Sequence, residues 1–344
     1  MILNGIDLEG LCAQVEHIEF PDPVKGRVAH IDADFLAYQV SYESGEGAPK
    51  SLDDMKHNAT MAIQTLAKLA ASTEFHLHLT PGTSNKGGRF DQAIQREYQG
   101  NRTDKPKPRY LHIMRDWMGT HFPATLHQEC EADDGMSSSQ YAAIAKGQRD
   151  LSIIVSKDKD LGMVPGLHMN WDTGHIEDTG TDFGRIYLDG NKVRGIGHKF
   201  FWAQMLMGDT ADNIQGLPKL PGFILNEIKP TKEISLAHTI IHSPNSNDKQ
   251  KAFAKKTLAS RKPAACGPVL AMACLNAVDS NKQAFAFVKG CYQTLAEIYT
   301  FTHWKTGEEV HWGKVFISEA QMLWMRREKH DPMDVVKWLQ EIAV

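Results

Sequence analysis

Two short strand-like runs, each ending in acid, constrain this chain more than any other feature. Val28–Ile31 runs into Asp32-Ala33-Asp34, and Leu151–Val155 runs through Ser156 and Lys157 into Asp158-Lys159-Asp160. Largely apolar runs of this length, stopped by polar residues, read as buried strands. A third strand is expected at Phe75–Leu79, where His76 and His78 alternate with apolar residues, and a fourth at Ala124–His127. Helical spacing covers Leu52–Ala71 and Asp133–Lys146. Strands alternating with helices across residues 28–205 specify an α/β class, with a mainly parallel central sheet flanked by helices. Residues 167–188 read as hairpin material turning at Gly174 and Gly180. From about Phe200 onward the chain reads as helical, with Ser243–Lys251 as a linker and no evident chemistry in residues 252–344. Residues 1–26 read as an N-terminal arm closed by Pro21 and Pro23.

Composition narrows the class. The 344 residues suffice for two domains, or one large domain with an appendage, and 42% hydrophobic with 23% charged residues is an ordinary globular balance. No apolar run approaches the roughly 18 residues of a membrane span, and the N-terminus lacks the basic-then-apolar order of a signal peptide. The five cysteines (Cys12, Cys130, Cys266, Cys274 and Cys291) are scattered and form no CxxC pair. A disulfide framework and a zinc knuckle are therefore disfavoured, and a reducing cytoplasm is expected. The net charge of −4 excludes a generally basic coat but not a local basic patch.

The acids fall into four clusters. Asp32 and Asp34 follow the first strand. Glu131, Asp133 and Asp134 sit at a helix start, Asp158 and Asp160 follow a buried strand, and Asp209 and Asp212 lie one helical turn apart. Any one cluster alone is an ordinary helix cap or a solvated face. In a parallel sheet, however, residues past the strand C-termini gather at one edge. Carboxylates crowded there raise one another's pKa unless cations sit among them. Hard divalent ions take oxygen ligands, and two of them can drive phosphodiester hydrolysis. A competing reading takes Asp32-Ala33-Asp34 as the nucleophile motif of haloacid-dehalogenase-type phosphatases. It leaves EADD and KDKD without a role, and Asp212 follows Gly208-Asp209 one residue too early.

HIDADF, EYQGNR, ECEADDG, VSKDKDL and MGDTADNIQGLPKLPG, in that order over residues 28–225, resemble the flap endonuclease and 5′-nuclease family, most closely its bacteriophage 5′→3′ exonuclease branch. The resemblance implies a PIN-like nuclease core over 27–205 with a basic arch at 82–109. A helix-hairpin-helix-like region at 206–242 and a helical part at 243–344 would follow the core. It implies two Mg²⁺ or Mn²⁺ ions: one on Asp32, Glu131, Asp133 and Asp134, the other on Asp158, Asp160, Asp209 and Asp212. It further implies DNA with a 5′ end, flap or junction as partner, RNA in hybrids as a second candidate, and a role in phage DNA replication or recombination in the host cytoplasm. Arg96 and Arg102 are expected to hold the scissile phosphate. Lys86, Arg89, Tyr98 and Lys105 in the arch, and Gly216, Lys219 and Gly222 in the turn, are expected to touch DNA. Between Lys86 and Arg109 seven basic residues face three acids, a local +4 in an acidic chain.

Two departures stand out. Gln99 occupies the place of the family's lysine, so Arg96 or Lys86 would have to substitute. LTPGTSNKGG carries no acid where the family places one after the second strand, leaving water or Thr80 to fill in. Pro218 and Pro221 lack N–H donors, which disfavours a K⁺ ion at the turn. The readings left open are a structure-specific DNA-binding protein with a weakened site and a PIN-type single-strand ribonuclease. His30, His76 and His78 read as packed strand residues, Trp202, Met205, Leu206 and Met207 as helical core, and Cys130 as a small buried hydrophobe.

Overall fold

The computed structural model describes residues 20–43, 50–102, 106–180 and 183–344, plus the backbone of a small ribbon pairing Ile2–Leu3 with Ile6–Asp7. β1 (Val24–Asp32) leads into α1 (Ala33–Ser41), and α2 (Leu52–Leu69) into β2 (Ser72–Leu79). α3 (Leu111–His121), β3 (Ala124–Leu126), α4 (Ala132–Ala145) and β4 (Ser152–Ser156) follow. β5 (Gly166–Asn170) and β6 (Ile176–Thr179) then form an antiparallel hairpin.

The six strands make one sheet in the order β3-β2-β1-β4-β5-β6, parallel except at the β6 edge. Strand order reverses between β1 and β4, which pair from Val28 opposite Ser152 to Ile31 opposite Val155. In an open α/β sheet, ligands bind beyond the carboxyl ends of the strands at such a reversal. Asp32 closes β1 there, and Ser156 closes β4.

Both sheet faces are covered, as parallel sheets require. Ile153 and Val155 join Leu36, Ile63 and Met114 in a core under α1, α2 and α3, whereas Ile154 joins Met136 and Phe200 in a second core. α2 starts at a capping box made by Ser51 and Asp54, and Met55, Ala59, Ile63 and Leu66 give it one buried stripe. Beyond the sheet, β7 (Arg185–Asp189) and β8 (Lys192–Ile196) form a separate hairpin. α5 (His198–Met207) is apolar nearly all round because helices enclose it. α9 (Pro268–Leu275), on which α6 (Gly222–Ile228) packs, lies against it with α10 (Asn281–Leu295) and α11 (Trp312–Leu323), Trp338 of α12 (Asp334–Ala343) touches Phe201 and Trp202, and α7 (Lys232–His242) pairs with α8 (Asp248–Ala259). Trp202, Met205 and Leu206 are fully buried in this core, as the apolar pattern indicated.

Several expectations need correcting. Ser243–Lys251 is the turn of a helix pair rather than a linker, and Asn247 with Gln250 forms the capping box that starts α8. The short helix expected at Phe90–Tyr98 is a single turn, Arg89–Gln92. The first strand begins at Val24, inside the stretch read as an arm. α3 was missed, although Leu111, Met114 and Met118 mark its buried stripe. Residues 167–188 contribute to two hairpins instead of one.

Candidate metal centre

The carboxyl edge opens into a cleft of about 800 Å³. Eight carboxylates from four segments gather in it, Asp32, Asp34, Glu131, Asp133, Asp158, Asp160, Asp209 and Asp212, and Glu97 also lines it. Seven of these were expected as ligands. The eighth is Asp34, and Asp134, also expected as a ligand, is not among them.

A ladder of local hydrogen bonds sets the first acids. Asp32 caps α1, its Oδ1 accepting from the Phe35 N–H at 3.0 Å, while its Oδ2 accepts from the Ser156 hydroxyl at 2.8 Å. The Asp158 N–H donates to Ser156 Oγ, and the Asp160 N–H to Asp158 Oδ1. These bonds fold the KDKD segment back over the end of β4. Burial, and then the neighbouring charges, raise the acids of this tier. Asp32 is pushed up to about 7 by burial and Asp34, and Asp133 is driven well above the carboxylate range by burial, Asp158 and Asp32. Asp158 is also raised, chiefly by burial. Among the described residues no Lys or Arg forms an ion pair with Asp32, Asp133 or Asp158.

Cations do reach the other acids. Asp160, Asp209 and Asp212 each offer an oxygen within 4.8 Å of the others, a spacing that suits one ion. The Lys159 ammonium bonds Asp160 Oδ1 at 2.9 Å and Asp209 Oδ2 at 2.6 Å. Burial opposes the charge on Asp209, yet Lys159 holds its carboxyl below the usual range. Arg102 pairs with Asp212 at 2.6 Å and also donates to the Ala211 carbonyl. The loop carrying Asp209 and Asp212 is pinned at its base by Gly208 and Gly216. Both have positive φ, and a Cβ on Gly208 would lie 2.3 Å from the Ile214 carbonyl oxygen.

Asp134 is not a cleft residue. It is fully buried, and Arg89, itself 1% exposed, grips it with two bonds of 2.6 and 2.9 Å. Burial works against this carboxylate, but the guanidinium holds it low. Arg89 also donates to Glu131 Oε2 at 3.0 Å and to the Trp324 carbonyl, so it is a buried strut and not a contact for DNA. Tyr98 cannot stack on a base either. It is buried, its hydroxyl donates to Glu131 Oε2 at 2.8 Å, and Phe90 packs edge-on against its ring.

Arg96 is exposed, does not line the cleft, and acts electrostatically on Glu319. The Gly216 N–H donates to the buried Glu319 at 2.8 Å, and its carbonyl accepts from Gln95. A Cβ on Gly222 would strike the Arg261 carbonyl at 1.9 Å. The close backbone approach expected of both glycines is therefore within the protein. Leu217 and Leu220 spend their N–H groups on Met205 and Ala264, which leaves those groups unavailable to a K⁺-binding turn or to phosphates. Lys219 is exposed beside the Tyr299 ring. Lys105 lies outside the described residues.

The two departures acquire a physical answer. Gln99 bridges the Lys86 ammonium and Asp212 Oδ1, so Lys86 brings a cation to the place where Gln99 cannot; its nitrogen lies 3.7 Å from Glu131. After β2, Asp34 reaches across from α1 and accepts the Thr80 N–H at 3.0 Å, while Arg115 of α3 approaches Asp34 at 2.9 Å. Thr80 Oγ accepts from the Ala132 N–H and so fixes the start of α4. Arg115 was missed because α3 was missed. Lys159 lay in plain sight between two acids, but spacing alone cannot say where an ammonium points. His30, His78 and His127 form a hydrogen-bonded chain that ends at Cys130. Burial pushes the Cys130 thiol up to about 12, in keeping with an inert residue. Among the described residues all four cysteines are free thiols, and no helix is long and apolar enough to cross a membrane.

Fold and site together define an α/β protein with a carboxylate-lined, divalent-metal type of cleft at the switch point of its sheet. Solved structures similar to it come from bacteriophage T5. One is a T5 protein co-crystallised with metal ions (16% identity, 87% of this chain and 100% of that chain, TM-score 0.41). Another is a T5 flap endonuclease in a pseudo-enzyme–product complex with DNA and metal ions (14%, 86% and 99%, TM-score 0.42). A third is a T5 5′-exonuclease with bound zinc (14%, 87% and 100%, TM-score 0.43). No protein-family model and no curated protein matches the chain.

Proposed function

We propose that this protein is a divalent-metal-dependent nuclease that hydrolyses phosphodiester bonds of DNA at 5′ ends, flaps or junctions. The observation that carries the reading is that Asp32, Asp133 and Asp158 meet in one open cleft while, among the described residues, no Lys or Arg forms an ion pair with any of them. Carboxylates so placed fit a hard cation by their donor chemistry. Glu131 would share that first ion, and Asp160, Asp209 and Asp212 would hold a second, with Mg²⁺ or Mn²⁺ as the natural occupants. When bound, such ions polarise a phosphoryl oxygen and supply a nucleophilic hydroxide at neutral pH.

The chain's own residues do the rest. Lys86, Arg102, Lys107 and Arg115 also line the cleft, so an anionic strand can be held against the acid floor. Lys86 is placed to neutralise charge on the reacting phosphate, with Gln99 orienting it. Arg89 and Tyr98 both bond Glu131 Oε2 and fix the orientation of that carboxylate. Lys219, exposed on the turn after Asp212, is the one residue of the helix-hairpin-helix-like segment we retain as a duplex contact. Residues 27–205 would form the catalytic part, and their PIN-like character belongs to this proposal.

The test is a gel assay with 5′-labelled duplex, flap and single-stranded DNA, and an RNA–DNA hybrid, in Mg²⁺, in Mn²⁺ and in chelator. Metal-dependent cleavage near the 5′ end of DNA is expected. Binding without cleavage in either metal would favour the DNA-binding protein with a weakened site, and cleavage of single-stranded RNA alone the PIN-type ribonuclease.

A further inference from the structure

The two tiers of the cleft differ in how their charge is met. Asp32, Asp133 and Asp158 form no ion pair among the described residues, although Lys159 is near enough to act electrostatically on Asp158. Asp160 and Asp209 have one built into the same segment. Lys159 stands between two acids of KDKD, and its ammonium lies 2.9 Å from Asp160 Oδ1 and 2.6 Å from Asp209 Oδ2. The Gln204 amide donates to the same two oxygens at 2.7 and 3.4 Å. Phe200 backs the ammonium with its ring centroid 5.9 Å away. The third member, Asp212, has its Oδ1 taken by Arg102 and Gln99. These three acids are the group whose oxygens converge within 4.8 Å.

We infer that Lys159 is a tethered cation that occupies the Asp160–Asp209–Asp212 pocket in the metal-free protein and must swing out before an ion enters. The inference rests on the metal-binding reading above. A lysine ammonium and a divalent ion cannot share these two oxygens, because their charges would repel at contact distance. Entry of an ion therefore breaks two charge-assisted hydrogen bonds, each roughly twice as strong as a neutral one. The uncompensated tier fills first and tightly. The Lys159 tier fills second and weakly, so Lys159 sets the metal concentration at which the centre is complete. Lys159 touches no reacting atom in this scheme; it is a positioning residue acting through Asp160 and Asp209.

The experiment is Mn²⁺ binding to the full-length protein, with free Mn²⁺ followed by electron paramagnetic resonance, alongside thermal melts in chelator. The wild type is expected to show a tight class and a weak class. Lys159→Met should tighten the weak class about ten- to hundredfold, the loss expected for one or two charge-assisted bonds. It should also lower the melting temperature in chelator and recover it in Mn²⁺. Lys159→Arg retains a cation and should keep the second class weak. Lys159→Gln gives the same comparison if the methionine variant does not fold. An unchanged or weakened second class in Lys159→Met or Lys159→Gln, with wild-type binding intact, overturns this inference alone. Absence of Mn²⁺ binding in every protein overturns the metal-binding reading and the inference with it.

Discussion

Asp133 and Asp134 are neighbours in sequence, and the motif resemblance gave both to the same ion. The structure separates them, and paired substitutions measure the separation. Asp134 is buried and carries both bonds to a guanidinium that is itself 1% exposed. Asp134→Asn removes the charge and leaves Arg89 buried and only partly compensated by Glu131. Breaking a buried pair from one side costs about 3–5 kcal/mol. For a chain of this length unfolding in one step, an unfolding entropy of roughly 0.7 kcal/mol/K makes that a fall of about 4–7 °C in Tm. The loss should appear equally in chelator and in Mg²⁺, because Asp134 faces no ion. Asp133→Asn removes one of three mutually repelling carboxylates, so in chelator it should melt at or above the wild-type temperature. The same variant should lose most of the stabilisation that Mg²⁺ gives the wild type. Differential scanning calorimetry of both variants, with and without metal, reads all four values. Equal behaviour of the two variants, or a metal-specific effect of Asp134→Asn, would refute this division of roles.

Other outcomes follow from the same geometry. Glu319 is fully buried, and burial raises its carboxyl to about 7 from an ordinary 4.5. Its contribution therefore favours the fold below about pH 4.5 and is lost as pH rises through about 7, a change of about 3 kcal/mol. Glu319→Gln keeps an acceptor for the Gly216 N–H, so it should stabilise the protein at pH 8 but not at pH 4.5; urea melts at the two pH values decide it. Lys86→Ala should lower single-turnover cleavage about ten- to hundredfold, the range of a charge-assisted contact, with DNA binding changed much less. Arg96→Ala, outside the cleft, should leave the cleavage rate near wild type, and a loss as large as that of Lys86→Ala would restore Arg96 to the site.

Much of the architecture was legible because it depends on local pattern. The apolar runs before Asp32 and Asp158 and the helical spacing of 52–71 and 133–146 needed no long-range information. The switch point followed once strands alternated with helices. The acids at the ends of β1 and β4 and at the start of α4 were legible for the same reason, since strand ends and helix starts gather at one edge, whereas Asp209 and Asp212 were brought there only by the motif resemblance. What the pattern could not carry was pairing. Asp133 and Asp134 look alike in sequence, but successive helix positions point about 100° apart, and only the tertiary location of Arg89 decides which one is buried. Arg89 and Tyr98 counted towards a basic, aromatic arch, yet a contact from Trp324 of the C-terminal region turns the guanidinium inward. The contacts that residues 252–344 make near the site are equally invisible in sequence. Glu319 holds the Gly216 turn, and the Arg326 N–H and side chain bond Asp134 and the Gly87 carbonyl behind the cleft. The side-chain partnerships of Lys159 and Arg115 are likewise set by contacts distant in sequence, and no periodicity encodes them.

The central claim is that these acids converge to hold hard cations, and Mn²⁺ located by anomalous scattering in crystals of the wild-type protein tests it most directly. A peak bounded by carboxylate oxygens of Asp32, Asp133 and Asp158, appearing at lower Mn²⁺ than any peak among Asp160, Asp209 and Asp212, is the expected result. Crystals soaked in millimolar Mn²⁺ that show no ion in this cleft, or ions bound only at other surfaces, would contradict it.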